Sequence, residues 1–313
     1  MTKTMRIFFA ILLMALSQLA IATKDYAIER AYFEDVTGQL SFEDAKNKDY
    51  QPIEYILAKG YSSSVFWVRL KIQGSPIAKS SLKNKYGDVL VVSIQPPYLD
   101  EVRLYDPLFS VTGEKVVGDK HSLDNNDFSS LNFNLAIPRS NESRYVWLRV
   151  KSTSTIFMRA QVLSYENFLE MDKTQEFGFS FYLAILILLF LFPLLIWINN
   201  KDYLTGVFVM KQLGAISLLI FNAGYLRFVL KELDLETVQF IVNVNLLAYS
   251  LITMFFHYVF LNEYVMKKWA KMFFVVAMLA FPIELILLLG QFERLTLHIN
   301  MVVLNLMTFS FLV

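Results

Sequence analysis

The sequence predicts an all-β jelly-roll or β-sandwich domain outside the cytoplasm, followed by an α-helical polytopic membrane domain. Three observations predict it. The N-terminus has the layout of an export signal. Residues 23–166 hold several short segments that alternate apolar and polar positions with a period of two, separated by turn signals. Residues 177–313 fall into apolar blocks close to the ~20 residues that cross a hydrocarbon core.

The signal comes first. MTKTMR supplies Lys3 and Arg6, an apolar run extends from Ile7 to Ala22, and Ala20-Ile21-Ala22 closes it. A basic start, a short apolar core and small residues at the end define a secretory signal, with cleavage expected near Ala22–Thr23. An uncleaved anchor is the alternative; in both cases the following segment starts outside the cytoplasm.

The strands follow in order. In FWVRLKI, Phe66 to Ile72, the residues Phe66, Val68, Leu70 and Ile72 alternate with Trp67, Arg69 and Lys71. DVLVVSIQ, Asp88 to Gln95, is more continuously apolar and fits a buried strand. EVRLY (Glu101–Tyr105), LNFNLAI (Leu131–Ile137), YVWLRVK (Tyr145–Lys151) and TIFMRAQVL (Thr155–Leu163) continue the pattern. PPYLD, DPLFSVTGEK and DKHSLDNNDFSS between them carry turn chemistry. Residues 167–176 read as a juxtamembrane linker.

About five helices are expected after it: Phe177–Ile198, then from about Tyr203, Val238, Trp269 and Leu295. Backbone polar groups in lipid must be satisfied within the segment, which makes these blocks helices. The short breaks make neighbours antiparallel. With the sandwich outside, INNKDY and NEYVMKKWAK lie inside, and the slight Lys/Arg bias of the second agrees with that direction. Pro193 and Pro282 are expected to kink their helices. The last block is still apolar at Val313, as expected of a fragment or truncated chain.

Composition narrows the chemistry. The 313 residues are 55% hydrophobic with net charge +1 and no cysteine, and mean hydropathy is +0.43. Zero cysteine removes disulfides, thiolate zinc sites, iron–sulfur clusters and a cysteine nucleophile. Near-neutral charge offers no footprint for nucleic acid. His121, His257 and His298 have no metal-ligand spacing, and no G-x-S-x-G elbow occurs. No catalytic residue, metal or cofactor is expected.

Two constellations stand out. Trp67 and Arg69 on one strand, and Trp147 and Arg149 on another, share the faces opposite their aliphatic neighbours. Aromatic rings stack on sugar faces, and guanidinium groups donate to hydroxyls or carboxylates. These four residues are therefore candidates for a ligand surface; the alternative is an outer face on which Trp covers Arg by cation–π contact. Asp100, Glu101 and Asp106 flank one strand without calcium-loop spacing and read as turn-capping acids. Within the membrane blocks, Lys211 and Glu284 are candidates for an intramembrane ion pair, with separate snorkelling or polar contacts as the alternative. Asn243 and Asn245 lie in the third block.

Several stretches carry a resemblance. RAYFEDVTGQLSFEDA, GYSSSVFWVRLKI, QPPYLDEVRLYDP and YVWLRVKSTSTIFMRAQVLSYENF resemble the extracellular type 2 domain of bacterial seven-helix receptors with diverse intracellular signalling modules, the 7TMR-DISM family. FNAGYLRFVL is similar to the same family's helical region. The resemblance implies a periplasmic or extracellular jelly-roll sensor for a glycan or other small ligand, set on seven helices of a bacterial inner (cytoplasmic) membrane. It further implies a diguanylate cyclase, histidine kinase or phosphatase as cytoplasmic output, and makes a homodimer plausible. The sequence departs from that pattern at its end, with about five helices and no GGDEF stretch, phosphoacceptor segment or nucleotide-binding glycine box. These residues are thus expected to be non-enzymatic. A sensor subunit acting through partner proteins and a membrane-anchored glycan-binding protein are the alternatives.

Overall fold

A computed structural model describes residues 24–75, 89–109, 114–122, 125–229, 233–263 and 268–310. The export signal expected at residues 1–22 lies outside the described residues.

The N-terminal half is a sandwich of two antiparallel sheets. Its strands are β1 (Ala27–Asp35), β2 (Gln51–Pro52), β3 (Ile56–Tyr61), β4 (Val65–Ile72), β5 (Val89–Gln95), β6 (Glu101–Tyr105), β7 (Glu114–Val117), β8 (Phe133–Pro138), β9 (Arg144–Lys151) and β10 (Thr155–Ser164). One sheet has the order β2-β1-β4-β9-β6-β7 and the other β3-β10-β5-β8.

Alternation sets the register. In the β4–β9 pair, Phe66 lies opposite Val150, Val68 opposite Leu148 and Leu70 opposite Val146. This register places both aliphatic rows on one side, and a one-residue slip of either strand would turn its row outward. Those rows meet Leu90, Val92, Ile94, Phe133, Leu135, Ile156 and Val162 of the second sheet in one buried core. Each such side chain contributes about 1.5–3 kcal/mol on burial.

The other side of the six-stranded sheet is also covered. Residues 36–50 leave β1, cross that face and return as β2, carrying the short helix α1 (Phe42–Ala45). Asp35 starts the crossing. Its carboxylate accepts from the backbone N–H of Thr37, Gly38 and Leu40 at 3.1, 2.9 and 3.0 Å. Burial acts to raise its pKa, but the Thr37 hydroxyl and these N–H groups outweigh burial and hold the carboxyl below its usual range. Gly38 takes φ 66°, a conformation that glycine adopts without a Cβ penalty.

The helices are α2 (Tyr165–Asn200), α3 (Tyr203–Asn222), α4 (Tyr225–Val229), α5 (Leu235–Glu263), α6 (Lys268–Met278), α7 (Ala280–Leu289) and α8 (Glu293–Ser310). Among the described residues, four helical stretches are long and apolar enough to cross a membrane: Tyr165–Asn200, Tyr203–Asn222, Leu235–Glu263 and Lys268–Leu289. The fifth predicted block corresponds to α8, which opens on Glu293 and Arg294.

Residues 167–176, read as a juxtamembrane linker, are helical and belong to the first turns of α2. Ser164 ends β10 and caps the helix, accepting from the N–H of Asn167 at 3.3 Å, so strand passes into helix with no residue between them. Pro282 lies in the first turn of α7, where it needs no N–H partner, and the helical run breaks at Leu279. Asp202 and Asp234 start α3 and α5, accepting from the N–H of Thr205 and Thr237, each at 2.8 Å.

Candidate functional site

The sheet register brings the predicted face together. Trp67 lies opposite Arg149, and Arg69 opposite Trp147. The third strand adds Arg103 opposite Arg149 and Tyr105 opposite Trp147. The four candidates therefore form one cross-strand block, as their parity predicts.

What covers that block decides which of them a ligand can reach. Phe42, on α1, stacks on Tyr105 at 4.6 Å between ring centroids and sets its ring edge-on to Trp147 at 5.3 Å. Trp67 beneath it is 0% exposed and packs with Ala45 and Val65. It borders the neighbouring cavity but shows no open ring to a sugar. Arg69 is held between the rings of Tyr50 and Tyr145, at 4.7 and 4.8 Å. Burial, opposed by the Arg69 charge, pushes the Tyr50 phenol up to about 12.

A polar cavity of about 410 Å³ opens beside this cluster, between residues 38–42 and the ends of β6 and β9. Glu101 is its centre. One carboxylate oxygen accepts from Arg103 Nε at 2.9 Å and Arg149 Nη1 at 2.8 Å. The other accepts from Arg103 Nη2 at 3.1 Å and lies 3.4 Å from His121 Nε2. Arg103 reaches on to Glu114 at 3.1 Å, and Arg149 donates to the Gly38 carbonyl at 3.2 Å. Burial would raise the Glu101 pKa; the hydrogen bond from Arg103 and the charges of Arg103 and Arg149 outweigh it and hold the carboxyl below its usual range. Arg103, Arg149 and the exposed Lys151 face two carboxylates here, so the cavity keeps a cationic rim.

Sequence reasoning reached Trp67 and Arg149 but missed Phe42, Arg103 and Tyr105 as parts of the same face. The signal for the last two was present, since Arg103 and Tyr105 are the outward positions of EVRLY. Asp100 and Asp106 do not join Glu101 in one cluster. Asp100 accepts from Ser152 at 2.8 Å and pairs with Lys120 at 2.9 Å. Asp106 accepts from the Leu108 N–H at 3.0 Å, as a turn cap does, and takes both Nε and Nη2 of Arg144. Among the described residues no group of three His, Asp or Glu is placed to hold a metal ion.

The family model described as 7TMR-DISM extracellular 2 matches residues 29–164. By this match, residues 29–164 form a 7TMR-DISM extracellular 2 domain. The matched residues run from β1 to the last residue of β10. No curated protein matches the chain. The 7TMR-DISM sandwich and the four apolar helices behind it make this a membrane protein with its N-terminal domain outside.

The junction between this domain and the helices has two parts. The start of α2 docks on the second sheet, with Phe168 buried against Val91 and Leu163. Ser130 donates to Asp172 at 2.6 Å and Asn132 to Gln175 at 2.8 Å. On the other side, Tyr61 donates to the Leu297 carbonyl at 3.4 Å, Thr153 to Glu293 at 3.4 Å, and Lys120 lies 3.8 Å from Glu293. The α7–α8 turn and the start of α5 thus lie at the sandwich end, where the predicted topology places them.

Lys211 and Glu284 do not pair. Lys211, on α3, sits 5.0 Å from the Phe256 ring centroid. Glu284, on α7, is 2% exposed and accepts from Asn300 Nδ2 at 3.2 Å; Asn300 in turn accepts from Ser250 at 3.0 Å. The polar contact between helices replaces the ion pair because α5, which carries Ser250, packs against both α3 and α7.

Proposed function

We propose that the chain is the sensory part of a bacterial inner-membrane receptor. A carbohydrate-like or other small ligand binds the external sandwich, and the helices relay that event to a cytoplasmic output such as a diguanylate cyclase or histidine kinase. The residues in hand are non-enzymatic, need no cofactor and contact only ligand, lipid and the output module or partner.

The observation that carries this reading is the uninterrupted passage from β10 into α2. The strand that ends the sensor and the helix that enters the membrane are one continuous piece of backbone. Its first turns are fastened to the sheet by Phe168, Asp172 and Gln175. A shift in the sandwich therefore moves the helix. A ligand biases such a device only by its differential affinity for the two arrangements.

The Glu101 cavity is the ligand site this reading favours. Its cationic rim suits a sugar carrying a carboxylate or other acidic group. The experiment is a glycan array probed with the purified chain in nanodiscs, comparing neutral oligosaccharides with uronic-acid oligosaccharides. Binding to the acidic set, reduced about tenfold or more by Lys151→Gln or Arg103→Gln, is expected. Equal binding to both sets, or no change in the variants, counts against the site. In cells, a bound glycan should alter cyclic di-GMP or phosphorylation; binding without either effect would leave a membrane-anchored glycan-binding protein acting alone or through partners.

A further inference from the structure

A second recess lies where the sandwich meets the membrane helices. An outer cavity of about 960 Å³ opens among Tyr61, Lys120, Glu293 and Arg294. An inner one of about 300 Å³ lies between the sandwich edge and the first turns of α5, lined by Leu226, Val238, Val242 and Leu246. Tyr61 and Gln239 line both, so the two adjoin. The outer chamber is charged and the inner one largely apolar, which is the polarity gradient of an amphiphile at a membrane surface.

The side chains left without partners define the head of that amphiphile. In the outer chamber Lys120 is paired with Asp100, Glu293 faces Thr153 and Lys120, Asp234 is used to start α5, and Glu236 is exposed in the first turn of that helix. Arg294 has no ion pair among the described residues, and its Nε is buried without a hydrogen-bond partner there. In the inner chamber Asn243 is 7% exposed, and its Nδ2 likewise has no partner among the described residues. Two unpaired buried donors are costly unless an acceptor reaches them. One donor is cationic and stands at the mouth; the other is neutral and stands among aliphatic side chains.

We propose that this recess binds a single-chain amphiphile with an anionic head and an oxygen at the head–chain junction, the chemistry of a monoacyl phospholipid. Arg294 takes the phosphate in a forked contact. Asn243 donates to the ester oxygen, and the acyl chain lies against Val238, Val242 and Leu246. The ligand touches sheet and helices together, because Tyr61 and Thr153 belong to the first and Glu293 and Leu297 to the second. This inference does not depend on what the Glu101 cavity binds.

The test uses the full chain in phosphatidylcholine nanodiscs and a monoacyl phosphatidylglycerol whose acyl chain ends in a diazirine. After irradiation, adducts are mapped by peptide mass spectrometry. Adducts within 238–246, competed by unlabelled monoacyl phosphatidylglycerol but not by dodecyl maltoside, are expected. Arg294→Gln should reduce them at least fivefold, and Val242→Phe, which fills the inner chamber, should do so independently; the thermal transition of each variant is checked against wild type. Labelling confined to the lipid-facing surface of α2, labelling indifferent to both variants, or equal competition by the neutral detergent overturns the proposal.

Discussion

Glu101 holds two guanidinium groups that would otherwise repel each other across adjacent strands, Arg103 facing Arg149 in the register. Glu101→Gln keeps the shape and removes the charge. The expected loss is about 1–3 kcal/mol of sandwich stability near neutral pH, measured by thermal or denaturant unfolding. The pH dependence follows from the lowered carboxyl. Its stabilisation is fully present above the usual value of 4.5 and is lost as pH falls through the lower folded-state value. Wild type should therefore weaken below pH 4.5 more steeply than Glu101→Gln; parallel profiles would remove Glu101 from that role. Glu284 is a different case, a buried carboxyl whose Oε1 has no partner among the described residues. Glu284→Gln keeps the acceptor for Asn300, and folded yield in detergent should match wild type. Glu284→Leu strands the Asn300 amide, and Glu284→Lys adds a charge; both should lower the yield, the second more. The depth of Glu284 was legible from its place in AFPIELILL, but its partner was not. Asn300 lies sixteen positions away on another helix, and nothing local marks it.

At the scale of elements, the segment from Val36 to Tyr50 decides what the Trp-x-Arg-x-Lys strands are for. Period-two alternation correctly put Trp67 and Trp147 opposite the aliphatic core. It could not show that this second face is covered, because the cover is a short helix and two turns with no periodicity of their own. The same limit hid β1, β2, β3 and β7. In β1, for example, Glu29 and Arg30 adjoin and break the alternation; Arg30 is nonetheless buried, donating to the carbonyls of Ala27 and Ala160. Phe42 carries the cover by its stacking on Tyr105 and Trp147. Phe42→Ala should cost about 2 kcal/mol, less than a fully buried Phe because Phe42 is only partly buried, and should shift the tryptophan emission to the red. At the other end, Asp172 docks the start of α2. Ser130 donates to its carboxylate at 2.6 Å. Asp172→Ala should speed hydrogen exchange of the amides from 168 to 176, and unchanged exchange would remove Asp172 from the docking.

For the whole molecule, the question is which way the helices run relative to the sandwich. Short apolar blocks and short breaks were enough to read the order of parts and the antiparallel course. The Lys/Arg bias alone was too slight to fix direction, because the loops on the opposite side carry Arg227, Lys231 and Arg294 among their acids. Packing supplies what charge does not. Glu293, Leu297 and His298 touch Tyr61 and Thr153, so the start of α8 shares a side with the sandwich. Asn199 and Lys201, at the far end of a helix about 54 Å long that begins on the sandwich, share the other. The absence of cysteine makes this directly measurable, since any introduced thiol is unique. Gln291→Cys and Ser129→Cys should react with a membrane-impermeant maleimide in intact spheroplasts. Lys201→Cys and Glu263→Cys should react only after permeabilisation. Labelling of Gln291→Cys and Lys201→Cys from the same side would break the antiparallel arrangement of α2 to α8. Labelling of Ser129→Cys only after permeabilisation would turn the whole molecule over and place the 7TMR-DISM sandwich in the cytoplasm. The continuity of β10 with α2 forbids a mixed result in which the sandwich and the first turns of α2 report opposite sides.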